Sequence, residues 1–277
     1  MQEVLSAALR AEQEGEAAAL VTVVATEGST PQRAGAKMLV YADGRIVGTI
    51  GGGCLEAEMT WRARQAIESG RSQLAEWDLT PDQAGEDGLV CGGRMQVFIE
   101  PIETTPTLCL FGAGHVAQPL AEMAKRVGFR VEVADDRVKF ASRERFPWAD
   151  RIVVEDFGVA AERMTLGPNT YAVVVTRGHK GDADALQAVL GKGLRFVGLL
   201  GSKPKMVHVF TALEARGVPP EELEKVHTPV GLEIGAVTPE EIAVSILAEM
   251  IAIRRRVELS QVRPMKVPLP GRLKVGR

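Results

Sequence analysis

Leu108-Cys109-Leu110-Phe111-Gly112-Ala113-Gly114-His115-Val116-Ala117 reads as an apolar strand, a G-x-G-x-x-A turn and the opening of a helix. Glycine lacks a Cβ, so such a turn lets another group approach the backbone, and the helix start beyond it suits an anion. The helix carries Val116, Leu120, Ala124 and Val127 at helical spacing and stops at Gly128. A second strand, 129–134, ends in Asp135-Asp136-Arg137. Asp135 stands 21 residues after Gly114, where an acid meets a ribose hydroxyl. Strand, turn, helix, strand and terminal acid together predict a Rossmann-type unit. Ala117 at the third glycine position and Arg137 beyond the acid leave three outcomes open for its ligand: NAD(P), another phosphate-bearing molecule, or none.

Downstream the alternation continues. Residues 151–154 and 171–175 read as strands, the latter wholly apolar as a central parallel strand should be. Polar residues at the carboxyl end of such a strand face the ligand side, which makes His179 and Asp182 candidate contacts. Asp182 also reads as an ordinary N-cap of a helix over 183–190. A strand over 195–200 runs into Gly201-Ser202-Lys203-Pro204-Lys205, a basic loop suited to a phosphate. Thr238, Pro239 and Glu241 predict a capping box on a helix that buries Ile242, Ile246 and Met250. The segment 229–236 before it reads as a loop lining a site or an interface.

Upstream the pattern differs. Residues 4–13 form a helix with Val4/Ala8 and Leu5/Leu9 on one face, and 18–26 form a strand. The loop 27–36 offers Ser29 and Arg33 to an anionic or hydrogen-bonding ligand. Asp43-Gly44 marks a hairpin between 37–41 and 45–50. Then comes Thr49-Ile50-Gly51-Gly52-Gly53-Cys54-Leu55-Glu56, a glycine turn that places a thiol and a carboxylate at a helix start. Leu55, Met59, Ala63 and Ile67 are that helix's core positions. Cys91-Gly92-Gly93 places a second thiol beside glycines, and with Cys54 it suggests two thiols near one pocket, suited to a soft metal or to carrying sulfur. Cys109 sits inside an apolar strand and reads as inert core. The reading is therefore α/β: a mixed α+β N-terminal domain over 1–104, a Rossmann-like parallel-sheet domain over 105–256, and a basic, proline-containing tail over 257–277.

The 277 residues are 45% hydrophobic and 25% charged, as in a globular protein. No apolar run approaches the ~18 residues of a membrane span, and the N-terminus lacks a signal-peptide pattern. Three cysteines, an odd number without C-x-x-C spacing, argue against a disulfide framework or zinc site. Together these predict a cytoplasmic protein. From Arg254 onward eight basic residues face one acid, so this end carries +7 and the rest −10 of the net −3. An acidic body disfavours nucleic acid. The tail reads either as a solvated end or as an arm that grips a partner, and a homodimer is expected only because such dimers are common.

Taken together these blocks resemble the XdhC/CoxI family, accessory proteins of molybdenum hydroxylases such as xanthine dehydrogenase. The likeness rests on Gly28-Ser29-Thr30-Pro31, Gly51-Gly52-Gly53-Cys54-Leu55-Glu56, Cys91-Gly92-Gly93, the 111–116 turn with Asp135-Asp136-Arg137, Gly198-Leu199-Leu200-Gly201-Ser202, and 229–236 with Thr238-Pro239-Glu240-Glu241-Ile242. It runs from about Val4 to Arg256. Gln32 stands where the family has an arginine, with Arg33 beside it. The resemblance implies a chaperone that binds the molybdenum cofactor, holds it while a cysteine desulfurase replaces an oxo ligand with sulfur, and delivers it to the apo-enzyme. The binding set is then Ser29, Arg33, Gly51, Gly52, Gly53, Cys54, Glu56, Cys91, Gly112, Gly114, His115, Asp135 and His179. No catalytic or metal-ligating residue and no turnover of its own are assigned. The alternative is an NAD(P)-dependent oxidoreductase. Against it, neither Tyr41 nor Tyr171 has a lysine four residues on. A third reading is a scaffold whose Rossmann domain is empty and only docks a partner.

Overall fold

Two sheets of opposite character organise the chain. A computed structural model describes residues 1–78, 93–102 and 104–263. They fall into two units, the first ending at Pro106 and the second starting at Thr107.

The first unit runs α1 (Gln2–Glu14), β1 (Ala18–Glu27), β2 (Lys37–Tyr41), β3 (Ile46–Gly48), α2 (Gly53–Ser69), β4 (Gln73–Asp78) and β5 (Arg94–Pro101). Its five strands pair antiparallel in the order β3-β2-β1-β5-β4. Alternate residues explain why β2 is apolar throughout: Met38 and Val40 pack with α2, while Leu39 and Tyr41 pack with α1. The Asp43-Gly44 hairpin forms as expected between β2 and β3. In α2, Leu55, Met59 and Ala63 are buried with Ala66, and Ile67 is only partly so. The expected face of α1 needs correcting. Val4, Ala7 and Ala11 point inward, while Leu5 and Leu9 stay exposed at 47% and 55%. An i, i+4 rule marks a stripe but does not say which of two neighbouring stripes meets the sheet.

In the second unit follow β6 (Thr107–Phe111), α3 (Ala117–Arg126), β7 (Arg130–Ala134), β8 (Arg151–Val153), α4 (Phe157–Arg163), β9 (Thr170–Val174), α5 (His179–Val189), β10 (Phe196–Leu199), α6 (Lys203–Ala215), α7 (Pro220–Leu223), β11 (Val226–His227) and α8 (Pro239–Arg254). All six strands run parallel, in the order β11-β10-β9-β6-β7-β8. The order grows outward from the β6/β9 pair, so the Rossmann switch point lies there. Leu108 and Leu110 pack with α3 and α8, and Cys109 and Phe111 with α4, α5 and α6. Burial on both faces is why these strands read as unbroken apolar runs. Val127, expected in the core of α3, lies past the helix end and is 40% exposed. The capping box on α8 is present: Glu241 N–H donates to Thr238 Oγ1 (3.2 Å) and Thr238 N–H to Glu241 Oε2 (3.0 Å).

One contact sets the geometry of the switch point. Gly112 has φ of 107°, and a Cβ there would lie 2.5 Å from the Val175 carbonyl oxygen and 2.9 Å from the Thr176 nitrogen. Both neighbours are backbone and cannot step aside. At Gly114 a Cβ would meet nothing within 4 Å. Gly112→Ala is therefore expected to destabilise the protein by about 3 kcal/mol or more, and Gly114→Ala by less than about 1 kcal/mol. Urea denaturation of the two variants beside the wild type measures the difference.

Candidate functional site

The glycine turn of the first unit takes three successive positive φ values, 136°, 83° and 59° at Gly51, Gly52 and Gly53. A Cβ on Gly51 would lie 2.5 Å from Pro31 Cγ, so the 28–36 loop rests on this turn. Gly93 closes the arrangement from the other side. A Cβ there would lie 2.5 Å from the carbonyl oxygens of both Glu27 and Ser29. The sequence-predicted Ser29 loop, the glycine turn and Gly93 thus converge. Ser29, Arg33 and Cys54 are exposed on these loops, with Cys54 in the first turn of α2. Cys91 lies outside the described residues.

The turn's donors already have an anion. Glu56 Oε1 accepts the Thr49 hydroxyl and the Ile50 N–H (3.0 Å), and Gly51 N–H donates to Thr49 Oγ1 (3.1 Å). Burial pushes the Glu56 carboxyl up, but the Thr49 hydroxyl and the N–H groups of Ile50, Gly52 and Gly51 outweigh it, holding the group below its ordinary value. Its place in the first turn of α2 adds the favourable end of the helix dipole. Thr49 is the partner that sequence reasoning passed over, although a hydroxyl two residues before a glycine turn is a recognisable donor.

A parallel arrangement holds the second turn. Asp135 is 1% exposed. Its Oδ2 accepts the Ala113 N–H (2.8 Å) and Arg137 Nη2 (2.8 Å); its Oδ1 accepts the Arg137 N–H (3.0 Å) and Nε (2.7 Å). Four donors match the roughly four acceptor sites of a carboxylate. The ribose contact expected of Asp135 therefore has no acceptor left in this structure. Burial pushes this carboxyl up, and the Arg137 guanidinium with the Ala113 and Arg137 N–H groups more than offsets it, so it too is held low. Gly112 is buried, Gly114 half-buried and His115 exposed.

Other expected contacts are engaged elsewhere. His179 is exposed at the start of α5 and stacks on His208, ring centroids 5.5 Å apart. Asp182 is fully buried inside α5 rather than capping it; it accepts the Thr176 hydroxyl (2.6 Å) and pairs with Lys205. The ammonium expected to await a phosphate is thus matched by an internal carboxylate, a pairing between distant segments that sequence spacing does not reveal. The 229–236 loop is tied to α8: Gly231 N–H donates to the buried Glu249 (2.6 Å), and Ser245 Oγ to the Leu232 carbonyl (2.6 Å). Burial, and next the charge of Glu132, pushes the Cys109 thiol up, consistent with an inert core position. Among the described residues no cluster of three His, Cys, Asp or Glu side chains is placed to hold a metal ion, and no helix is long and apolar enough to cross a membrane.

Residues 108–250 match the family described as the XdhC Rossmann domain, and residues 11–78 match the XdhC and CoxI family. The chain is 37% identical to YqeB of Escherichia coli (strain K12) over 85% of its own length, and spans 43% of that protein. It is 28% identical to a probable xanthine dehydrogenase subunit of Bacillus subtilis (strain 168), over 87% of this chain and 94% of that one. It is 24% identical to the molybdenum cofactor insertion chaperone PaoD of Escherichia coli (strain K12), over 92% of this chain and 89% of PaoD.

The Glu56 contact has a defined pH signature. A carboxyl held low when folded stabilises fully above its unfolded value near 4.5, and that stabilisation is lost as pH falls through the folded value. Glu56→Gln is expected to cost about 1 kcal/mol near pH 7, with the gap to wild type closing below about pH 4. Melting temperatures of both proteins across that range test this.

Proposed function

This chain belongs to the XdhC and CoxI family, and from that premise we propose that it is a maturation chaperone that binds the molybdenum cofactor and inserts it into a xanthine dehydrogenase-type hydroxylase. The observation that carries the reading is the match in length as well as sequence to PaoD, which covers 89% of that insertion chaperone and 92% of this chain. The match to a probable xanthine dehydrogenase component supplies the class of partner.

The finer proposal concerns how the cargo is held. The contact of the loop that carries Ser29 and Arg33 with the Gly51–Cys54 turn, made through Pro31, supports a contact surface on the first unit. Cys54 offers a soft ligand or sulfur-protecting contact to the metal end of the cofactor. Arg33 and the Ser29 hydroxyl offer a cation and a donor to its phosphate. The Ile50 N–H serves Glu56 instead, so the phosphate relies on side chains more than on this turn. Cys91 joins the set on the sequence pattern alone. Cargo held in this way is available to a cysteine desulfurase for sulfuration before transfer, and the chain performs no turnover itself. A pyridine-nucleotide oxidoreductase is less well supported, because the Asp135 carboxylate is already saturated.

Anaerobic equilibrium binding of molybdenum cofactor to the full chain tests the proposal. Wild type is expected to bind, and Cys54→Ala to weaken binding about tenfold, equivalent to about 1.4 kcal/mol. Cys109→Ala should bind as wild type does. Failure of the wild type to bind the cofactor overturns the reading. Equal binding by Cys54→Ala overturns the placement at the glycine turn.

A further inference from the structure

We propose that the rim at the amino ends of β9 and β10, where Arg195, Arg254 and Arg256 gather, is a docking surface for an acidic segment of a partner protein. It lies at the opposite end of the parallel strands from the glycine turn after β6, and it uses none of the residues assigned to the cofactor. Arg195 immediately precedes β10, Arg254 closes α8, and Arg256 follows two residues later. The three share Tyr171, the second residue of β9, which is 1% exposed. Arg195 donates to the Tyr171 hydroxyl, and the charges of Arg254 and Arg256 also reach that group. The Tyr171 ring packs edge-on against Phe129, centroids 5.2 Å apart, and against Phe196 at 5.9 Å. Arg254 donates to the Val127 carbonyl (3.0 Å) and lies over the Phe129 ring at 5.4 Å.

The backbone at Arg256 indicates a use for its side chain. Val257 N–H donates to the Ala252 carbonyl (2.9 Å) and Arg256 N–H to the Ile253 carbonyl (3.1 Å), so α8 ends in a Schellman motif with Arg256 at its left-handed position. Glycine takes that position without strain. Arg256 takes it at a φ of 56°, the one non-glycine residue with positive φ among those described. Stopping the helix requires no side chain there, so the strain is explained by what the side chain does beyond the helix. It brings a further guanidinium beside Arg195. Partial burial, and next the charge of Arg195, hold Arg256 below the ordinary arginine value, so this crowding is unfavourable in the free protein. The dipole of α8 accounts for cations at its own end, but Arg195 belongs to a different element.

Negative charge from outside relieves that crowding. Among the described residues neither Arg195 nor Arg254 pairs with a carboxylate. The sequence beyond 263 adds Lys266, Arg272, Lys274 and Arg277, all of the same sign. Arg195 and Arg256 are exposed, and Val127 and Val257 beside the cluster are 40% and 41% exposed. A small anion on such an open rim is screened by solvent. A segment with several carboxylates meets several guanidiniums at once, and its apolar side chains cover the valines. An anionic bilayer fits less well, because the rest of the chain is acidic and a flat charged surface repels it.

Fluorescence polarisation of a labelled peptide of alternating glutamate and leucine, titrated with the full chain, tests this. The peptide is expected to bind at low salt with a Kd between about 1 µM and 1 mM, and at least about tenfold more weakly near about 0.2 M salt. The same peptide with glutamine for glutamate should bind at least about tenfold more weakly. Arg195→Gln should weaken binding at least about threefold. Arg256→Gly should do the same while leaving the melting temperature unchanged or raised, a combination that a purely structural role does not produce. Arg64→Gln removes the same charge from an exposed site on α2 and should leave binding unchanged. Equal binding of the glutamine peptide, an equal loss in Arg64→Gln, or unchanged binding by Arg195→Gln and Arg256→Gly would each overturn the proposal. So would inorganic phosphate competing as strongly as unlabelled peptide, or tighter association with phosphatidylserine vesicles than with the peptide. None of these outcomes touches cofactor binding at Cys54, so the two readings fail separately.

Discussion

An N–H group turned inward by a glycine-rich bend has to find an acceptor, and in both units of this protein the acceptor is a carboxylate of the chain itself. Glu56 takes the Ile50 N–H and the Thr49 hydroxyl at the first turn; Asp135 takes the Ala113 N–H at the second. An unmet donor in a partly buried turn costs about 1–3 kcal/mol, so these bonds hold each bend against the strand that feeds it. The bends in turn set everything that meets at them. Gly51 receives Pro31 and with it the Ser29 loop, and Gly112 receives the Val175 carbonyl at the switch point of the parallel sheet.

This internal supply of negative charge changes how the glycine motifs read. A glycine turn before a helix is usually taken as a seat for a ligand's phosphate. Here part of each seat is filled by a side chain whose own ionisation is favoured there. In the binding mode proposed above, a cargo phosphate at the first unit would meet the side chains of Arg33 and Ser29 and the thiol of Cys54 before the Ile50 N–H, which already serves Glu56. In the second unit, the acid after β7 is likewise taken up by the Ala113 N–H and by Arg137. Both pairings are local to their own unit.

The fold was legible wherever a feature is written locally. The apolar run Leu108–Phe111 with its turn announced the parallel sheet, Asp43-Gly44 announced the hairpin, and Thr238 with Glu241 announced the start of α8. The misreadings share a cause. Leu5 and Leu9 form as good a stripe as Val4 and Ala11, and only the position of the sheet decides between them. Asp182 and Lys205 lie on separate helices, and only the order of β9 and β10 brings them together. The same holds for the candidate sites. Ser29, Gly51 and Cys54 were visible as residue types suited to a ligand, but the Gly93 contact that backs the Ser29 loop comes from strand pairing between β1 and β5.

The two glycines of the Rossmann turn separate these influences within three residues. Gly112 is required by the fold, since any side chain would enter the backbone of Val175 and Thr176. Gly114 is not: its φ is outside the left-handed region and a Cβ there meets nothing within 4 Å. Packing alone therefore explains one glycine and leaves the other without a structural reason. In the Rossmann pattern the second glycine admits a phosphate-bearing ligand to the backbone. A protein whose switch point served only to hold its sheet together would need Gly112 and could carry alanine at Gly114.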